Sequence, residues 1–306
     1  MRNTFSETLY ECAKKDPRIF IVVADISPAG SMAKFQVEYP DRFINVGVAE
    51  QVMVGMAAGL ALKGLKPFTY TIATFSLYRP FEMVRNDLGY QNLPVTVVGM
   101  GAGIIYSTLG GTHHSMEDIA IASAIPNMQV LAPCDPLETI EATKYCAAQE
   151  QGPVYLRIGK AGEPILTKNA VEPFVFGKIR YIKRGENVCV LSYGVIMKLA
   201  NKVAEELELQ GKSVSLVACH TLKPLDREGI SRLLNAHKEV IVIEEHVPQG
   251  GLAPQTKQIA WDIGAKCKIH TFTLQDKFIH NYGSQDDLLA AHGLTSKNIL
   301  DSFLGH

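Results

Sequence analysis

Five short runs in the first half of the chain are apolar at nearly every position: IFIVVAD (Ile19–Asp25), PFTYTI (Pro67–Ile72), PVTVVG (Pro94–Gly99), MQVLAP (Met128–Pro133) and PVYLRIG (Pro153–Gly159). Runs that lack a polar alternation are strands covered on both faces, and helix-length stretches between them predict a parallel sheet flanked by helices. From Lys160 to Gly185 the pattern breaks into KAGEPILTKNAVEPFVFGKIRYIKRG, rich in proline, glycine and basic residues. That composition reads as a linker. A second series follows, with strands near NVCVLSYG, SVSLVACH, EVIVIEEH and CKIHTFTL and a helix at MKLANKVAEELELQGK. The pattern therefore predicts two α/β domains, residues 1–165 and 185–306, joined by a linker over 166–184. No short-period repeat is visible.

One helix stands out from this pattern. In NVGVAEQVMVGMAAGLAL (Asn45–Leu62) the positions after Gln51 are Val, Met, Ala, Gly and Leu throughout. A helix apolar all round is expected to be buried all round. Glu50 stands at its entrance, where the helix dipole and free N–H groups favour a carboxylate. It either starts the helix or waits for a partner, since an unpaired buried charge costs several kcal/mol, of order 3–5 on mutational scales. Downstream, TFSLYRPFEMVR sets Phe75, Tyr78 and Phe81 three residues apart, on roughly one face of a helix. Such a series is core or a platform for a flat ring, and spacing does not choose between them.

Composition narrows the function. With 306 residues, 20% charged and a formal net charge of −1, the chain lacks the basic excess that nucleic-acid binding requires. Six scattered cysteines, none in a C-x-x-C, argue against disulfides and zinc and point to a reducing compartment. MRNTFSETLYECAKKD is not a signal peptide, and no apolar run is long enough to span a membrane. The cytoplasm is the expected location. GMGAG (Gly99–Gly103) imitates a dinucleotide fingerprint, but IIYSTLGG follows it in place of the required helix. His113 and His114 invite a metal reading, yet no carboxylate or cysteine stands at helical ligand spacing. As a pair they are loop histidines or a proton-transfer site. His220 and His246, at strand ends of the second domain, read as packing or interface residues.

Taken together, ADISPAG (Ala24–Gly30), NVGVAEQ (Asn45–Gln51), ATFSLYRPFEMVR (Ala73–Arg85), GGTHHSMED (Gly110–Asp118) and LKPLD (Leu222–Asp226) resemble the C-terminal half of transketolases. The chain is also similar to the matching part of 1-deoxyxylulose-5-phosphate synthases. The resemblance covers essentially the whole chain. It implies a thiamine diphosphate-binding fold, with a pyrimidine domain followed by the transketolase C-terminal domain. It further implies transfer of a two-carbon ketol unit from a ketose to an aldose.

By the same resemblance Glu50 hydrogen-bonds N1′ of the cofactor's aminopyrimidine and favours its imino tautomer. Phe75, Tyr78 and Phe81 would surround that ring, with Asp25 also on the cofactor side. His113 would serve the substrate oxygen at which charge changes, and Ser27, Arg157 and Lys160 would line the substrate, with a sugar phosphate or similar anionic sugar as its class. The family's pyrophosphate-binding domain, with its Mg2+ ligands, has no counterpart in this sequence. A partner chain, the N-terminal transketolase subunit, is therefore implied, in an α2β2 heterotetramer. Two positions depart from the family: Leu109 replaces an Asp, and Gly101 stands where transketolases carry a histidine. These departures put the ordinary donor sugar in question. The β subunit of a 2-oxo acid dehydrogenase-like enzyme, a deoxyxylulose-phosphate synthase-like enzyme and a noncatalytic subunit stay open as alternatives.

Overall fold

The computed structural model describes residues 1–28 and 30–305; Ala29, within the ADISPAG segment, and His306 lie outside the described residues. The first half supplies strands β1 (Ile19–Val23), β2 (Phe43–Asn45), β3 (Lys66–Ile72), β4 (Thr96–Met100), β5 (Gln129–Leu131) and β6 (Val154–Ile158). The second half supplies β7 (Arg180–Lys183), β8 (Val188–Ser192), β9 (Val214–Ala218), β10 (Thr221–Lys223), β11 (Glu239–Ile243) and β12 (Lys268–Phe272). The five apolar runs of the first half all form strands. Neither β2 nor β10 is among the expected strands, and β7 lies inside the segment read as linker.

The strand orders are β10-β5-β6-β4-β3-β1-β2 and β12-β11-β8-β9-β7. Each sheet is parallel apart from one antiparallel edge strand, β10 against β5 and β7 against β9. Alternate strand residues serve two cores. Val22, Val97 and Tyr155 pack on Met53, Val54 and Ala57 of the helix Glu50–Leu62. Ile21, Val98 and Leu156 pack with Phe5 and Leu9 of the helix Arg2–Lys15 and Cys146 of the helix Pro136–Ala148. A fully buried side chain such as Phe5 or Leu9 contributes roughly 1.5–3 kcal/mol. The second sheet is covered on one face by the helices Met197–Leu209 and Ser296–Leu304.

The segment 159–179 is anchored at both ends by helix-capping aspartates. Asp135 caps the helix Pro136–Ala148 through the Glu138 N–H, and its other oxygen accepts from the Leu166 and Thr167 N–H groups. Asp226 caps the helix Arg227–Ala236 through the Gly229 N–H and accepts from the Ile179 N–H. β10 then returns to the first sheet, pairing Thr221 with Leu131. The two sheets are thus joined by backbone as well as by side chains.

Two expectations about helices are corrected. The helix Glu50–Leu62 is buried on one face only: Met53, Val54, Ala57, Ala58 and Ala61 are inside, whereas Val52, Met56 and Leu62 are exposed. Small and apolar residues on every side gave no polar stripe from which to read the orientation. The aromatic series is not one helical face either. The helix Ala73–Leu77 stops before buried Pro80, a short turn of helix covers Phe81–Met83, and a π-helical stretch runs Val84–Tyr90. Proline lacks the N–H needed to continue the ladder and excludes the helical conformation of the residue before it.

Candidate active site

In an open parallel sheet, ligands bind beyond the carboxyl ends of the strands, where the connections diverge to opposite sides. Here that point lies between β1, which leads outward to β2, and β3, which leads back across the sheet. The residues singled out from sequence follow these strand ends: Asp25 and Ser27 after β1, Glu50 after β2, Phe75 after β3, His113 after β4 and Lys160 after β6.

Glu50 is the first residue of its helix and is only 3% exposed. Among the described residues its one hydrogen-bond donor is Arg79, whose Nη1 lies 2.8 Å from Oε1. The Arg79 guanidinium also lies over the Phe75 ring, 3.9 Å from its centroid. Phe75 in turn meets His113 edge to face at 5.1 Å. Glu50, Arg79, Phe75 and His113 therefore form one continuous cluster. The approach to Glu50 is set by Asn45, whose Oδ1 accepts the N–H groups of both Asp25 and Gly47 at 3.0 Å. One side chain so fixes the loops after β1 and β2 together. Asp25 is held in the left-handed region, with φ of 49°, a conformation rarely adopted by residues other than glycine.

His113 carries a hydrogen bond between Nδ1 and Thr112 Oγ1 at 2.9 Å. Partial burial first, and the Arg79 charge second, push its pKa below the usual histidine value. The neutral ring is thereby favoured at neutral pH. Tyr106 lies 6.2 Å from His113, and the Lys160 ammonium stands 4.8 Å from the Tyr106 ring centroid. Gly101 has a φ of 66°, and a Cβ there would collide with the Tyr106 ring. No side chain fits at position 101 because Tyr106 already fills the space.

The second domain also reaches this loop. Tyr282 Cε1 comes within 3.2 Å of where a Cβ on Gly110 would stand, and Phe278 flanks Gly111. Both aromatics are otherwise exposed. Nothing in the local pattern of QDKFIHNYG marked them, because their relation to Gly110 is purely spatial. Arg79 and Tyr106 had a readable signal, since both stand in segments already singled out; Asn45 shows its role only once the two loops are seen together.

Three expected site residues lie elsewhere. Arg157 is 3% exposed: its Nε donates to Asp118 Oδ2 at 2.9 Å and its Nη2 to the Glu245 carbonyl at 3.1 Å. Tyr155 donates to the same Asp118 oxygen at 2.8 Å. Arg157 is thus a buried member of an interdomain network. Tyr78 turns its hydroxyl to Glu117, 2.8 Å away, and its ring packs against the core. Burial first, and the nearby carboxylates second, raise its pKa. Phe81, beyond the Pro80 break, also packs on the core. Of the three aromatics, Phe75 is the one that meets the Glu50–His113 cluster. Asp25, Ser27 and Lys160 are exposed at the strand ends. Among the described residues no group of three or more His, Cys, Asp or Glu side chains is arranged to hold a metal ion.

The chain is thus a two-domain α/β protein of open parallel sheets, with a buried acid opening a helix at the strand ends, an aromatic and a histidine beside it, and a second domain paired to its first sheet. The sequence matches the family model for the transketolase pyrimidine binding domain over residues 1–162 and that for the transketolase C-terminal domain over 177–299. The chain belongs to the transketolase family. It is 35% identical over 300 residues to a putative transketolase C-terminal section of Methanocaldococcus jannaschii, covering 98% of this chain and 93% of that one. A 6-deoxy-6-sulfo-D-fructose transketolase subunit of Clostridium sp. strain MSTE9 is 34% identical, with 98% and 92% covered. A solved structure described as a split gene transketolase, inactive beta4 tetramer, superposes with a TM-score of 0.86 at 31% identity, covering 98% of this chain and 95% of that one.

Proposed function

We propose that this chain is the C-terminal subunit of a split thiamine diphosphate-dependent transketolase, moving a two-carbon ketol unit from an anionic ketose to an aldose. The observation that carries the reading is the state of Glu50: a carboxylate buried at a helix N-terminus, whose one described donor is a half-exposed arginine. A structural acid in the interior is normally enclosed by several donors. This one is held by a single solvent-facing donor, and an acid so thinly enclosed fits the protonated ring nitrogen of an aminopyrimidine.

When bound, thiamine diphosphate supplies the carbon nucleophile and electron sink that let a ketose C–C bond break. The chain's own residues hold and protect it. Glu50 would accept a hydrogen bond from the protonated ring nitrogen in surroundings of low dielectric, where a charged hydrogen bond is strengthened. Phe75 covers the site, with Asp25 at its cofactor side. His113, neutral and within reach of the same space, donates to or accepts from the sugar oxygen at which charge develops. Lys160 offers a cation to the substrate's anionic end, with Ser27 beside the opening. Arg157 is assigned instead to holding the two domains together.

A partner chain carrying the pyrophosphate domain supplies the Mg2+ ligands and the other wall of the site, in an α2β2 assembly. Two observations support this. The outward face of the helix Glu50–Leu62 leaves Val52, Met56 and Leu62, with Val48 before them, uncovered beside the site. Exposed apolar stripes of this kind are interaction surfaces. In addition, the split-gene relative that consists of one kind of chain is described as inactive. Such an enzyme would work in the cytoplasm, where its cysteines stay reduced.

The test is to co-purify the chain with a pyrophosphate-domain partner and assay ketol transfer from a panel of anionic ketoses. Glu50→Gln is expected to abolish turnover with an unchanged circular dichroism spectrum, and the isolated chain is expected to be inactive. Near-normal turnover by Glu50→Gln, or robust turnover by the isolated chain, would refute the proposal.

A further inference from the structure

The Arg79–Glu50 pair is unusually lopsided. The Glu50 side chain is 5% exposed and that of Arg79 is 45% exposed, so a buried anion is neutralised by a cation that stands in water. The arginine keeps no other hydrogen bond from its guanidinium among the described residues; it rests on Phe75 by its flat face. An acid enclosed with no partner would be a strong penalty on folding, so some counter-charge must be present before any ligand arrives. A counter-charge that had to stay would be walled in and hydrogen-bonded on several sides. One that has to leave is better held by a single ion pair and an aromatic face, because its charge returns to water as it goes.

We infer that Arg79 is a placeholder cation: it pairs with Glu50 through Oε1 in the unloaded subunit and gives way when the aminopyrimidine ring takes its place. This rests on the assignment of Glu50 made above. Arg79 therefore competes with the cofactor for the Glu50 carboxylate. A site blocked for most of the time binds its ligand more weakly in proportion to the open fraction. Arg79 acts through Glu50 and is a positioning residue; it makes the free subunit foldable and sets the threshold for loading.

The experiment is calorimetric titration of thiamine diphosphate, with Mg2+ present, into the two-chain complex. Arg79→Met, which keeps the stem over Phe75 and removes the charge, is expected to tighten binding about three- to tenfold. In the Glu50→Gln background the same substitution is expected to leave the affinity unchanged. Unchanged or weaker binding by Arg79→Met in the presence of Glu50 overturns the inference. Arg79→Gln serves the same purpose if the Met variant does not fold. A second measurement needs no cofactor: Arg79→Met should lower the urea midpoint of the isolated chain at neutral pH, and adding Glu50→Gln should restore it. A midpoint that Glu50→Gln fails to restore means that Arg79 is only structural and also overturns the inference. Failure of the underlying assignment is read separately, as turnover that survives Glu50→Gln.

Discussion

The ring of Tyr106 occupies the space into which a side chain at Gly101 would point, and Gly101 itself has a left-handed φ of 66°. Position 101 is thus closed to side chains for two independent reasons. Gly101→Ala is expected to destabilise the chain by about 2–4 kcal/mol, combining backbone strain with overpacking. Measured against Tyr106→Ala as the reference, Gly101→Ala should cost only the backbone part, about 1 kcal/mol. Urea midpoints of the single and double variants check both statements. Gly101→His should likewise fail to create the family's donor-sugar histidine, because the imidazole has no room.

Asp118 and Arg157 form a buried ion pair whose remaining donors and acceptors are Tyr155, the Glu245 carbonyl and the Ile119 N–H. Removing one partner leaves the other charged and enclosed. Asp118→Ala and Arg157→Met are each expected to lose about 3–5 kcal/mol, and the double variant to lose less than the sum. If folded Arg157→Met instead raised the KM for an anionic donor at unchanged stability, Arg157 would return to the substrate site.

His113 stands beside Phe75 at the end of the cluster that holds Glu50. His113→Asn should lower kcat by about 100-fold while leaving the unfolding midpoint close to that of the parent. In the parent chain its ring should titrate below 6.5, the usual value, because burial and the Arg79 charge both oppose protonation. Arg79→Met removes the second of these causes, so NMR titration should show the His113 pKa move upward.

His220 is fully buried, stacked on Phe174 at 4.0 Å, and burial lowers its pKa from 6.5 to about 3. Between those two values the unfolded chain binds a proton that the folded chain refuses. The His220 contribution is therefore complete above pH 6.5 and is lost as pH falls toward 3, at up to about 1.4 kcal/mol per pH unit. His220→Gln should flatten this part of the profile. Because buried Glu244 and Glu245, whose pKa values are raised by burial, titrate with the opposite sign, the quantity to measure is the difference between parent and variant.

The strands that were legible in the sequence were those buried on both faces, since IFIVV or VCVLS leaves little room for another reading. β2 escaped because FIN is only three residues, two half-buried and one exposed, and β7 because RYIK is basic and sits on an edge. β10 was invisible for a different reason: its partner, β5, is about 90 residues away, and local periodicity carries no record of non-local pairing. Of the candidate site, motif and position singled out Glu50 and His113, which the fold links through Arg79 and Phe75. Whether Tyr78 or Arg79 faces the cluster depended on how Pro80 ends the helix. That signal was present in TFSLYRPFEMVR and outweighs the three-residue spacing.

The antiparallel edge strand β10 changes how the molecule responds to force and heat. Because Thr221 and Lys223 are laced to Leu131 and Val130, and Lys223 Nζ also holds the Ser123 carbonyl at 2.8 Å, the second domain cannot swing or peel away without tearing main-chain bonds out of the first. The two halves should melt as a single cooperative unit in calorimetry. The strand that carries this seam belongs to the same sheet whose strand ends hold the Glu50–His113 cluster, so loosening the second half loosens the floor of the candidate site.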